Sequence, residues 1–159
     1  MSGASPASSR RIALKAALLG CTMLATGNAM TATATTGAAK DEPVKVVYHV
    51  SEGIDQATQA LRNVRNHLEA EPNTKIVVVT HAGGIDFLLE GAKDKNGNLF
   101  DANVQELVKM GVQFRVCKIT LKRRNIDPKS VLEEATLVPS GVAEVARLQA
   151  KEGFVYLKP

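Results

Sequence analysis

Lys75-Ile76-Val77-Val78-Val79-Thr80-His81-Ala82-Gly83-Gly84 is the stretch on which the fold turns. Ile76 to Val79 are apolar and β-branched without a polar interruption, so Lys75 to Thr80 predicts a strand covered on both faces. His81 to Gly84 then turns the chain into a short helix expected over Ile85 to Glu90. Upstream, Val44-Lys45-Val46-Val47-Tyr48-His49-Val50 predicts another short strand. Between the two, Asp55 to Glu71 carries Ala57, Leu61, Val64 and Leu68 at the spacing of an amphipathic helix. Pro72-Asn73 stops it. A strand, a helix and a strand in that order require a crossover, hence parallel pairing.

The same alternation continues downstream. Lys93 to Asn98 is polar and turn-rich, a surface loop. Asn103 to Met110 predicts a helix with Gly111 at its stop, and Val112 to Val116 a third strand. Asp127-Pro128 is expected to open another helix, with proline in its first turn. Thr136 to Val138 reads as a brief strand. Ser140 can cap a helix containing Val142, Val145 and Leu148. Gly153 ends that helix, and Phe154 to Leu157 makes the last strand. The fold class is therefore α/β, a three-layer sandwich around a mainly parallel sheet of about five strands.

The N-terminal segment is of a different kind. Ser9-Arg10-Arg11-Ile12-Ala13-Leu14-Lys15 is a twin-arginine pattern, and a short apolar run from Ala16 to Ala25 follows. Small residues at Gly27-Asn28-Ala29, or at Ala32-Thr33-Ala34, offer a cleavage site. Residues 1–29 are thus expected to be an export signal rather than a membrane anchor, since the run is shorter than the roughly 20 residues a spanning helix needs. The mature chain is expected in the periplasm with no transmembrane anchor. Leu18-Leu19-Gly20-Cys21 also resembles a lipoprotein signal, but the residues after Cys21 stay apolar, which makes that the weaker reading. Residues 30–43, rich in Thr, Ala and Gly, read as a flexible linker, and 44–159 as one domain.

Removal of Arg10, Arg11 and Lys15 takes the formal charge from +4 to +1. The basic balance of the whole chain therefore does not call for nucleic acid. Lys122-Arg123-Arg124 is short and has no interleaved aromatics, so nucleic-acid binding is not expected from it either. Cleavage also removes Cys21 and leaves Cys117 without an intramolecular disulfide partner.

In open α/β sheets, ligands and chemistry gather at the carboxyl ends of the strands. Here those ends carry His49 and Ser51, then His81 to Gly84, then Cys117, then Pro139-Ser140-Gly141. Cys117 is either a buried small hydrophobe or an activated thiol. In the second case Arg115, Lys118 and the helix start would stabilise its thiolate, and His49 or His81 could serve as general base. Gly83 and Gly84 before a helix could offer N–H groups to an anion or simply form a tight turn. Ser51, Ser140 and Gly141 complete the candidate ligand-binding set. Metal-ligand spacing such as C-x-x-C is absent, and no metal is expected.

Cys117 is followed by Arg123-Arg124-Asn125-Ile126, and the chain also carries Val46-Val47-Tyr48-His49, the Asn63 to Asn66 spacing and Val138-Pro139-Ser140-Gly141-Val142. Together these resemble the DsrE/DsrF-like family, in an exported branch of the sulfur-relay proteins, over essentially all of 45–159. Asn125 stands where the pattern has glycine, and asparagine tolerates the left-handed backbone that glycine would supply. The resemblance implies a flavodoxin-like fold and a homo-oligomer, trimer or hexamer. It implies sulfurtransferase or sulfur-carrier activity, with sulfane sulfur held as a persulfide on Cys117 and no metal or organic cofactor needed. It also implies sulfur donor and acceptor partners, either proteins or small persulfides. The competing expectation is a non-enzymatic, oligomeric small-ligand or protein-binding module whose cysteine is structural.

Overall fold

Among the described residues, five strands form a single sheet in the order β4-β3-β2-β1-β5, and every neighbouring pair is parallel. The strands are β1 (Lys45–Val50), β2 (Lys75–Thr80), β3 (Gln113–Cys117), β4 (Ala135–Val138) and β5 (Val155–Leu157). The helices are α1 (Ile54–Ala70), α2 (Phe100–Lys109), α3 (Lys118–Arg123) and α4 (Gly141–Glu152). This computed structural model describes residues 42–159. The expected export signal over 1–29, its cleavage sites, Cys21 and the linker through residue 41 lie outside the described residues.

The two faces of the sheet are covered unequally. Val46, Tyr48 and Val50 of β1 join Ile76, Val78, Phe114 and Val116 in the larger core, against α1 and α2. Alternate residues of the same strands, Val47, Val77 and Val79, meet only Val145 and Leu148 of α4, with Phe154 beside them. Both faces of β2 are thus apolar, which is why its sequence shows no alternation. Fully burying one leucine such as Leu148 is worth about 1.5–3 kcal/mol, so α4 is held by few but well-buried side chains.

Three local departures from the sequence expectation have physical reasons. The helix expected at Ile85 starts earlier, as a 3-10 helix over Ala82–Leu88, because Gly84 lies directly against the end of β1. α2 begins at Phe100 rather than Asn103: Phe100 is buried, with its ring edge-on to Phe87 at 5.7 Å between centroids. Asp127-Pro128 opens only a three-residue 3-10 turn, Pro128–Ser130. The Asp127 carboxylate accepts the Lys129 N–H at 3.0 Å, and a bridge between Val131 and Leu89 then takes the chain out of helix. Val142, in the first turn of α4, is 61 % exposed.

Candidate functional site

Cys117 is at once the last residue of β3 and the residue that precedes the first turn of α3. Register pairs it with Val138 of β4. The next strand, β2, ends at Thr80 and hands the chain to His81. An open cleft of about 300 Å³ lies over these ends. Cys117, His81 and Ala82 form one side of it, Thr120 and Arg123 of α3 another, and Ser140 and Val142 a third.

Only 4 % of Cys117 is exposed, yet the residue borders that cleft. Burial pushes the thiol pKa up. The N–H of Gly141, the hydroxyl of Thr120 and the N–H groups of Thr120 and Ile119 stand beside the sulfur and favour its charged form enough to outweigh burial, so the thiol titrates below its ordinary value. Hydrogen bonds to the charged form favour that form.

Gly141 supplies its N–H because it has no side chain. A Cβ there would lie 3.0 Å from the Thr80 carbonyl oxygen, 3.1 Å from the His81 Cβ and 3.3 Å from the Cys117 Cβ. Glycine therefore lets the start of α4 close on the thiol. Ser140 beside it works mainly as a helix cap, its hydroxyl oxygen accepting the Ala143 N–H at 3.4 Å.

Thr120 is the residue that sequence reasoning missed. Its hydroxyl oxygen accepts the Ala82 N–H at 3.0 Å, which leaves its own proton free to point at the sulfur. The local signal was its spacing, three residues after the residue that caps α3, where a side chain folds back on the helix start. The Ala82 contact crosses 38 residues of sequence, and no local pattern announces it.

Arg115 and Lys118 are placed differently from the sequence expectation. The Arg115 guanidinium pairs with Glu144 of α4 and donates to Gln113 Oε1 at 2.8 Å. Glu144 is buried and also holds Arg147; a hydrogen bond from Arg147 leads the causes that keep its carboxyl below the usual range. Lys118 does not line the cleft. The groups that lower the Cys117 thiol are amides and a hydroxyl, not these cations.

His49 and His81 do come together, at 4.7 Å between ring centroids and 33° between planes. His81 faces the cleft. His49 is turned away: its Nδ1 meets the Tyr156 hydroxyl at 3.0 Å, and its Nε2 is buried without a hydrogen-bond partner. Burial lowers both histidine pKa values, and for His49 the positive charges of His81 and Lys158 lower it further. An unfolded chain has its histidines near 6.5 and therefore takes the proton first as pH falls. The stabilising contribution of neutral His49 and His81 is thus whole above about pH 6.5 and is lost as pH falls through the folded values. Urea unfolding midpoints compared at about pH 7.5 and 5.5 are expected to show this acid loss, and His49→Gln is expected to shrink it. A midpoint equally pH-sensitive in the variant would show that His49 carries none of the effect.

Ser51, Gly83 and Gly84 do not line the cleft beside Cys117. The Ser51 N–H donates to Gln56 Oε1 at 2.7 Å, and a Cβ on Gly83 would sit 3.3 Å from the Gly53 nitrogen. These residues pack the turn after β1 against the 3-10 helix. His67 bonds the hydroxyl of buried Tyr48 at 3.0 Å, which satisfies that phenol. Among the described residues no three His, Cys, Asp or Glu side chains are grouped to hold a metal ion. No described helix is long and apolar enough to cross a membrane.

The model of the DsrE/DsrF-like family matches residues 15–159. The chain belongs to that family. It is similar to a solved structure of protein MTH1491 from Methanobacterium thermoautotrophicum, at 29 % identity and a TM-score of 0.64, over 73 % of this chain and 99 % of that one. It is also similar to the ychN protein from E. coli, at 17 % identity and a TM-score of 0.58, over 74 % and 99 %. The second likeness is one of fold. No curated protein matches. Within the DsrE/DsrF-like family, a sulfur-relay-type family, the flavodoxin-like sandwich is the expected frame, and the all-parallel five-stranded sheet has that form.

Proposed function

We propose that this protein is a periplasmic sulfur carrier or sulfurtransferase that holds sulfane sulfur as a persulfide on Cys117. One observation carries the reading: the thiol stands at the carboxyl end of a strand beside an open cleft, where neighbouring N–H groups and the Thr120 hydroxyl lower its pKa. A thiolate is the form that attacks sulfur. The same donors would stabilise the terminal sulfur's charge as it shifts within the persulfide. His81, neutral at pH 7, sits where it could accept or return a proton. The twin arginines and short apolar run of 1–29 support export, with cleavage near Ala29 or Ala34. Exposed Val155, Tyr156 and Leu157 on the edge strand support a homo-oligomer.

The second reading, a non-enzymatic binding module with a structural cysteine, is favoured by the low exposure of Cys117. Two measurements on the folded wild-type protein separate them. Alkylation of Cys117 is expected to follow a pH profile lying below that of free cysteine, as its lowered pKa requires. Incubation with an organic persulfide is expected to add the mass of one sulfur. A thiol that reacts only after unfolding leaves the binding module as the function.

A further inference from the structure

The basic run Lys122-Arg123-Arg124 is divided by the fold into unlike parts. Arg124 pairs with Asp86 and donates to the Ala82 carbonyl oxygen at 3.1 Å, so its charge is spent clamping the 3-10 helix to α3. Lys122 lies outside the cleft beside Cys117. Arg123 lines that cleft, is exposed, and has no acidic partner among the described residues. His81 contributes no charge there at neutral pH. The cleft therefore carries one uncompensated positive charge next to the thiol.

The rest of its lining includes His81, Thr120, Ser140 and the paired Arg124, but most of its surface is apolar. Ile119 is 50 % exposed and Val142 61 % exposed, and both border the cleft. Large apolar side chains that exposed, flanking a thiol, favour a ligand with a carbon body. The volume, about 300 Å³, lies at the small end of the range for organic ligands. Thiosulfate suits this lining poorly: it has two negative charges and no carbon, and it would set a doubly charged ion against two aliphatic walls.

We infer that the sulfur donor is a small organic persulfide bearing a carboxylate, its body lying between Ile119 and Val142 and its carboxylate on Arg123. This rests on the reading of Cys117 as the sulfur acceptor. The Cys117 thiolate attacks the outer sulfur of the donor R–S–SH. A bond forms between Cys117 Sγ and that sulfur as the donor's own S–S bond breaks. The inner sulfur leaves with the electron pair and takes the proton that the outer sulfur carried, giving R–SH. The two products are the protein persulfide anion and a free thiol, with no net oxidation or reduction. Arg123, which planar guanidinium geometry fits to a carboxylate, is here a specificity-determining residue and does not touch the reacting sulfurs.

The test uses three donors on the folded protein: the persulfide of 3-mercaptopropionate, the persulfide of its neutral amide, and thiosulfate. Sulfur uptake is followed by intact mass, and each rate is divided by that donor's rate with free cysteine. The wild type is expected to prefer the carboxylate over the amide by about tenfold, the scale of one charge-assisted hydrogen bond, and to take sulfur from thiosulfate more slowly than from either. Arg123→Gln is expected to bring the carboxylate-to-amide ratio close to one. Lys122→Gln removes the neighbouring charge outside the cleft and is expected to keep the ratio. A wild-type ratio near one, an equal loss in both variants, or thiosulfate matching the carboxylate would overturn the donor assignment while leaving Cys117 as acceptor. Uptake from no donor at all would overturn the acceptor reading, and the donor assignment with it.

Discussion

Gly84→Ala is expected to unfold the protein or leave it severely destabilised. A Cβ at this position would lie 2.1 Å from the Val50 carbonyl oxygen, 2.4 Å from its carbon and 2.7 Å from the Ser51 nitrogen. All three are backbone atoms, so no side-chain rotation relieves the contact. Val50 ends β1, which is hydrogen-bonded on both sides, to β2 and β5. Relief requires either that the 3-10 helix withdraw, taking buried Ile85, Phe87 and Leu88 with it, or that β1 bend away from its neighbours. Such overpacking belongs to the rare substitutions that cost about 4 kcal/mol or more, a large part of the roughly 5–15 kcal/mol that holds a domain together. Gly83→Ala is the comparison, since its nearest contact is 3.3 Å and a shift of a few tenths of an ångström accommodates it. Circular dichroism melts of the two variants check the difference. A Gly84→Ala protein that melts with the wild type would mean that this close approach does not hold in solution.

Cys117→Ser is expected to abolish sulfur uptake altogether and yet fold. A serine hydroxyl is not ionised at neutral pH and forms no persulfide, so the loss is complete rather than partial. The fold survives because the donors beside the sulfur, the N–H groups of Gly141, Thr120 and Ile119 and the Thr120 hydroxyl, can bond a hydroxyl oxygen. Each such bond is worth about 1 kcal/mol net, and exchanging one acceptor for another keeps most of it. Intact mass after incubation with an organic persulfide reads the first effect, and urea unfolding reads the second. Retained sulfur in the variant would end the case for Cys117. A variant that fails to fold would instead mark the thiol as a packing residue.

Elements whose own residues determine them were legible in the sequence. β2 needs only its unbroken β-branched run, and it forms where that run lies. α1 shows its buried stripe at Ala57, Leu61, Val64 and Leu68, and Gly153 takes the left-handed conformation that ends α4. Asn125 has φ of 53°, the conformation for which asparagine substitutes for glycine. Partners distant in sequence were not legible. Phe100 starts α2 early because Phe87 receives it. Arg115 stands two residues from Cys117 along the chain, yet its guanidinium goes to Glu144, 29 residues away. Thr120 was hidden because the Ala82 N–H that orients its hydroxyl lies in another element. Sequence distance singled out the charges near the thiol along the chain; the sheet order decided which groups sit beside it.

That order also fixes when the site is finished during folding. β1 is the first described strand to be made, and one of its two neighbours, β5, is the last. Closing so long a loop is entropically costly and slow compared with local pairing. Tyr156, the hydroxyl that anchors His49, arrives with β5. During folding, β1, β2 and β3 are therefore expected to pair before β5 docks and gives the histidine pair its anchor.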